Sequence, residues 1–308
     1  MPKEEPGQIS YNDWKDRGSY YLHGEHAVFF RQNRRSDELL ICIHGFPTSS
    51  FDYYKLWGPL SDRFPVAAYD LIGYGLSAKP LDLDYTTFLQ ADVLEGLIRH
   101  LGAANVHILS HDFGNTITLE LVARIAEGAA AAKISSICMM NGALFPETHR
   151  PILAQKILIG PAGAVFGRLI PDSIFKRSLA RVFGPDTKPS VQELEIFAEA
   201  FKQNGGKRIA HKLIRYMTER TAYRQRWLDA LRGIRVPFRF INGLADPVSG
   251  EHLVRRFREL VPEQKDIIEL NDIGHFPHLE TPETVLDHVL SFFSGNFSST
   301  ADDDRPLA

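Results

Sequence analysis

Two cysteines, Cys42 and Cys138, are all that 308 residues contain, and each lies inside a strand-like apolar run. They read as buried small side chains, which excludes a disulfide-stapled scaffold. No apolar run reaches the roughly 18 residues of a membrane span. The charged, Pro-containing stretch Met1 to Gly7 lacks signal-peptide character, so a cytoplasmic protein is expected. Formal net charge is only −3, which removes any general attraction to nucleic acid. No internal repeat is present. The charge is uneven, however: Arg150 to Arg232 holds 16 Lys and Arg against 7 Asp and Glu. That segment reads as a solvated helical face, and nothing in it makes a firm case for a membrane. The tail, residues 298–308 with Asp302, Asp303 and Asp304, reads as disordered.

What the sequence does have is alternation. Ser19 to Leu22 and His26 to Arg31 read as early strands around Gly24. Glu38 to Ile43, Val66 to Leu71, Val106 to Leu109 and Ile134 to Met140 are continuous apolar runs, as strands covered on both faces should be. Helix-like stretches separate them. Tyr85 to Leu101 carries an apolar stripe at Phe88, Val93, Leu94, Leu97, Ile98 and Leu101. The alternation stops from Leu144 to Arg232, which is helix-forming, and resumes with Phe238 to Asn242, Glu251 to Leu260, Asp266 to Leu270 and Pro282 to Phe293. The pattern predicts a mostly parallel sheet with helices on both faces. The interruption is expected to cover the carboxyl ends of the strands as a cap. The expected organisation is residues 1–142 as the first part of the core, 143–232 as the cap and 233–297 as the second part.

One stretch concentrates the chemistry. Ile108-Leu109-Ser110-His111-Asp112-Phe113-Gly114-Asn115 runs from strand into helix, with small residues two positions either side of Asp112. That is the nucleophile-elbow pattern, with Asp in the place usually held by Ser. The simpler alternative is an Asp that caps the next helix. Two later loops complete a set: Asp246 follows one late strand and His275 follows the last. The order Asp112, Asp246, His275 is nucleophile, acid, base, with Asp246 fixing the tautomer of His275. Backbone N–H groups of Phe113 and of Phe46, in His44-Gly45-Phe46-Pro47, are the expected oxyanion donors, since Pro47 has none. His44 lacks a second ligand at useful spacing and is expected to be structural, with no metal involved.

On these motifs the chain resembles the α/β-hydrolase superfamily over about residues 19 to 295. Ser110-His111-Asp112-Phe113-Gly114 resembles its Asp-nucleophile branch, which holds epoxide hydrolases and haloalkane dehalogenases. A further stretch, Asn141 to Pro151 at the cap entrance, is similar to one subgroup there. The resemblance implies an α/β-hydrolase fold with a mostly parallel eight-stranded sheet and a helical cap, working without cofactor. It also implies lid tyrosines as acids in epoxide opening. Leu213-Ile214-Arg215-Tyr216 resembles the late-lid stretch carrying one of them. Tyr223, seven positions on, is the other candidate, though on a continuous helix it would lie about 10 Å from Tyr216 along the axis.

A carboxylate nucleophile narrows the chemistry. Attack on an ester would give an anhydride, whereas attack on an sp³ carbon gives a stable alkyl ester that water, activated by His275, then hydrolyses. Epoxides and alkyl halides fit. In the dehalogenases of this branch a polar hydrogen is expected beside the nucleophile and in the oxyanion loop. Phe113 and Phe46 carry none on their side chains, which favours an epoxide over a halide. The expected partner is a small apolar-to-amphipathic substrate; oligomeric state is left open. A haloalkane dehalogenase and a hydrolase-fold ligand- or partner-binding protein are the alternatives.

Overall fold

In the computed structural model, which describes residues 9–142 and 144–297, eight strands form one sheet. They are β1 (Ser19–His23), β2 (His26–Gln32), β3 (Glu38–Ile43), β4 (Val66–Tyr69), β5 (Asn105–His111), β6 (Lys133–Met140), β7 (Phe238–Gly243) and β8 (Ile267–Leu270). Their spatial order is β1-β2-β4-β3-β5-β6-β7-β8. β2 runs antiparallel to β1 and β4, and every other neighbouring pair is parallel. All six residues of β3 are buried, as the unbroken apolar run requires. The disordered tail expected at residues 298–308 lies outside the described residues.

Before the sheet comes a short helix, α1 (Tyr11–Asp16), which the sequence pattern did not reveal. Six residues hold too few apolar positions to show a period. α1 is fixed instead by tertiary contact: Trp14 is buried edge-on against Trp57, with the Arg31 guanidinium over its ring.

The core helices are α2 (Tyr54–Arg63), α3 (Thr87–Leu101) and α4 (Phe113–Ala126). α3 begins where the Thr86 side chain accepts from Leu89 N and ends at Gly102, in the left-handed conformation at φ 74. Between β6 and β7 lie α5 (Leu153–Ile159), α6 (Gly163–Leu169), α7 (Asp172–Ala180), α8 (Val191–Lys202), α9 (Gly206–Leu213), α10 (Tyr216–Ala222) and α11 (Arg224–Gly233). Breaks between these helices fall at Pro161-Ala162, at Gly184-Pro185 and around Asn204. After β7 come α12 (Glu251–Leu260), α13 (Pro277–Glu280) and α14 (Pro282–Ser294).

α11 differs from the expectation that residues 143–232 all belong to a cap. It packs on α4, and its Trp227, Leu228 and Leu231 share a buried cluster with Leu119, Phe240 and Phe257. Glu120 of α4 accepts from Arg226 Nε at 2.8 Å and Trp227 Nε1 at 3.0 Å. The buried Trp227 and the carboxylate it meets make α11 part of the layer flanking the sheet.

Candidate active site

The carboxyl ends of β3, β5, β7 and β8 deliver the site. Asp112 follows β5 directly and has φ 47 and ψ −108, a conformation rare for any residue but Gly. The backbone around this turn is crowded. A Cβ on Gly142, itself at φ +94, would lie 2.4 Å from Asp112 Cα, and one on Gly114 would lie 2.5 Å from Ile43 O. The Asp112 side chain does not cap α4. Its Oδ2 instead accepts from Phe46 N at 3.0 Å, so one of the two expected oxyanion donors already bonds the carboxylate. Phe113 N is the first amide of α4, next to Asp112. Ser110 Oγ donates to Asn115 Oδ1 at 2.7 Å, which locks the two sides of the turn together.

His275, on the loop between β8 and α13, has its Nδ1 2.6 Å from Asp246 Oδ2. That oxygen also accepts from Asn141 Nδ2 at 3.1 Å and Ser249 Oγ at 2.5 Å, while Val248 N donates to Oδ1 at 2.7 Å. Burial would raise the Asp246 carboxyl, but His275 and these donors outweigh it and bring it down to about 2. Burial would likewise lower His275; Asp246 first, then Asp112, reverse this and raise it to about 9. His275 is therefore an imidazolium at neutral pH. Its backbone N–H donates to Val182 O at 2.8 Å, tying the loop to the segment after α7.

Sequence reasoning missed Arg220. It is 2% exposed. Its Nη2 lies 3.5 Å from Asp112 Oδ1 and 3.2 Å from Asp112 O, and its Nε donates to Thr116 Oγ1 at 2.9 Å. Burial would raise the Asp112 carboxyl; the Arg220 guanidinium, then His275, hold it below the usual range. The available signal was spacing, because Arg220 follows Tyr216 by four positions and shares its helix face. The neighbouring Glu219 anchors α10 by accepting from Thr87 N and Oγ1 at 2.8 and 2.7 Å.

The two candidate lid tyrosines go to different places. Tyr216 is buried near Asp112, its ring stacked on Phe113 at 4.5 Å and under Arg220 at 4.6 Å. Burial and then Asp112 raise its phenol above the ordinary value. Tyr223 is 40% exposed and packs on Phe88 and Trp227, because the chain breaks between α10 and α11 and turns it away. Neither tyrosine lines the cavity above Asp112.

That cavity has mainly apolar walls, with Phe46, Ile152, Leu158, Phe166, Phe175 and Val182 among them. Its polar side chains are Asp112, His149, Gln155, Ser178 and His275. His149 stands out: both ring nitrogens are buried with no hydrogen-bond partner among the described residues. Burial, then Arg220, lowers it to about 4, so it is neutral at neutral pH, with one donor and one acceptor nitrogen.

Leu71 N donates to His44 Nε2 at 3.0 Å. Behind the elbow, Asp52, His111 and His278 bring possible metal-ligand atoms within 4.8 Å of one another. Residues so far apart in the chain give no spacing signal. Burial raises the Asp52 carboxyl and lowers both imidazoles. None of the three lines the cavity.

Residues 40–288 match the model of the Alpha/beta hydrolase family. The mesoderm-specific transcript homolog protein of Homo sapiens is 36% identical over 301 residues, covering 94% of this chain and 90% of that relative. A loop variant of haloalkane dehalogenase DbeA from Bradyrhizobium elkanii, 21% identical, matches with a TM-score of 0.76 over 92% of this chain and 99% of its own. Epoxide hydrolase CorEH, 18% identical, matches with a TM-score of 0.70 over 90% and 98%. At those identities the two structures bear on the fold alone.

Proposed function

Because the chain belongs to the α/β-hydrolase family, we propose that this hydrolase opens epoxides through a covalent alkyl ester on Asp112. The observation that carries the reading is a buried carboxylate at the elbow, paired with Arg220 and lining a mainly apolar cavity. Such a group attacks an sp³ carbon well and an ester carbonyl badly. Among the residues lining the cavity there is no Trp to hold a departing halide, whereas His149 offers an N–H to a departing oxygen.

In the first step an Asp112 oxygen bonds to a ring carbon. The ring C–O bond breaks and its electron pair goes to the oxygen, which accepts from His149 N–H. A neutral imidazole serving as electrophile has precedent in enzyme chemistry. Esterification removes the Asp112 charge that helped hold the His275 proton. That proton passes by way of His149 to the alkoxide, leaving His275 neutral and ready to act as base. In the second step His275 takes a proton from water and the hydroxide attacks the Asp112 carbonyl. Phe46 and Phe113 N–H groups hold the oxyanion. The ester C–O bond then breaks, and the diol leaves with the second water proton on its oxygen. Asp112 is again a carboxylate and His275 an imidazolium.

The test is the intact mass of the His275→Ala variant after incubation with panels of epoxides and bromoalkanes. It should open the ring slowly and stall as the ester. A gain equal to the whole epoxide is expected. A gain equal to an alkyl group without bromide would move the assignment to dehalogenation. A folded variant that takes up no mass from either panel would overturn the covalent mechanism and favour a ligand-binding role.

A further inference from the structure

The outer surface of the cap has a composition that the site does not explain. α5, α6 and α7 turn one face inward, where Leu158, Phe166, Phe175 and Leu179 line the cavity. Their opposite faces are open. Leu153 is 68% exposed, Val165 63% and Leu169 70%, and Ile159 and Ile174 are exposed as well. Half of the exposed large apolar side chains among the described residues, five of ten, fall in this one segment, so they are not scattered singly.

Basic side chains interleave with them. Lys156 lies between Leu153 and Ile159, Arg168 precedes Leu169, and Arg177 lies one turn after Ile174, all three exposed. Residues 150–181 hold six Lys and Arg and one acidic residue, Asp172, which is itself engaged by Lys202 and Lys207. Lys156, Arg168 and Arg177 make no ion pair among the described residues. The sequence alone suggested a solvated basic face; the exposed aliphatic residues among the charges change that reading.

We propose that this face docks the cap on an anionic lipid bilayer, bringing the cavity behind α5, α6 and α7 against the membrane. Aliphatic side chains enter the headgroup boundary while Lys and Arg meet lipid phosphates, the composition of an interfacial surface. A second copy is a poor occupant, because two-fold packing would set basic face on basic face. A protein partner fits less well too, since the face exposes no aromatic side chain of the kind that anchors protein interfaces. Docking is distinct from spanning: no helix among the described residues is long and apolar enough to cross a membrane.

The inference is independent of the epoxide assignment, because binding is read without turnover. The experiment is co-sedimentation of the full chain with vesicles of phosphatidylcholine alone and of phosphatidylcholine mixed with phosphatidylglycerol. Binding to the mixed vesicles only, weakened by salt, is expected. Replacing Lys156, Arg168 and Arg177 by Gln should lower the partition coefficient on the order of a hundredfold. The triple variant Leu153→Asp, Val165→Asp, Leu169→Asp should lose binding while keeping the wild-type thermal midpoint. Absence of wild-type binding to anionic vesicles overturns the proposal. So does equal binding by both variants, or a wild-type dimer in light scattering that the Asp variant dissociates.

Discussion

The Arg220 guanidinium grips Asp112 at two points, 3.5 Å from the carboxylate Oδ1 and 3.2 Å from the main-chain oxygen. Both side chains are buried. A backbone held at φ 47 and a carboxylate held ionised away from water each raise the free energy of the elbow, and one side chain offsets both. α10 therefore supplies the countercharge of Asp112.

Replacing Arg220 by Met is expected to raise the Asp112 carboxyl. Asp112 attacks as the anion, so the acid limb of the kcat/KM profile should move to higher pH. Losing one partner of a buried pair should also cost about 3–5 kcal/mol of stability, measured by urea unfolding. Arg220→Lys keeps the charge and should shift the limb less. An acid limb that stays in place in Arg220→Met would remove Arg220 from the control of Asp112.

His275 and Asp112 are coupled through charge. The Asp112→Asn variant should titrate His275 below the wild-type value of about 9, because an anion that stabilises the imidazolium is gone. Nitrogen-15 NMR of the imidazole reads this directly. In the wild type, kcat/KM should fall as pH rises through about 9, where the proton needed by the alkoxide is lost. An unchanged His275 titration in Asp112→Asn would refute the coupling.

Two residues compete for the role of donor to the leaving oxygen. His149→Gln, measured as the rate of ester formation in the His275→Ala background, should lose about a hundredfold or more, the usual scale of acid catalysis. Tyr216→Phe should lose far less, because Tyr216 stacks on Phe113 outside the cavity lining. The reverse order of effects would return the role to Tyr216.

Most of the sheet was legible because a strand covered on both faces leaves a run that local chemistry cannot hide, as in β3 and β5. Asp112, Asp246 and His275 stood at loop positions that the strand–helix alternation marks. Arg220 and His149 were not assigned in this way, since both are brought to the site by cap packing. His149 lies within Asn141 to Pro151, the stretch that the resemblance marked, but nothing in that stretch tells which way its ring turns. Tyr223 was a candidate acid although a continuous helix would have set it about 10 Å from Tyr216; α10 in fact ends at Ala222, and the Tyr223 ring packs on Phe88 and Trp227 instead.

Glu280 ties the connection between α7 and α8 to the loop that carries His275. Its Oε2 accepts from Gly184 N and Gly274 N, both at 2.8 Å, and from Thr187 Oγ1 at 2.5 Å. Its Oε1 accepts from Phe276 N at 2.9 Å. One carboxylate thus joins the connection between α7 and α8 to both neighbours of His275. Glu280→Ala leaves those amides without their acceptor, and the loss should be about 2–4 kcal/mol, because bonds to a charged group are worth more than neutral ones. The loss should also be local. Amide hydrogen exchange should quicken at Gly184, Gly274 and Phe276 and stay slow in β5, which the substitution does not touch. kcat should fall with it, since a loosened loop no longer holds His275 2.6 Å from Asp246. Uniformly faster exchange across the sheet would instead mean that Glu280 supports the whole fold and has no particular hold on the loop.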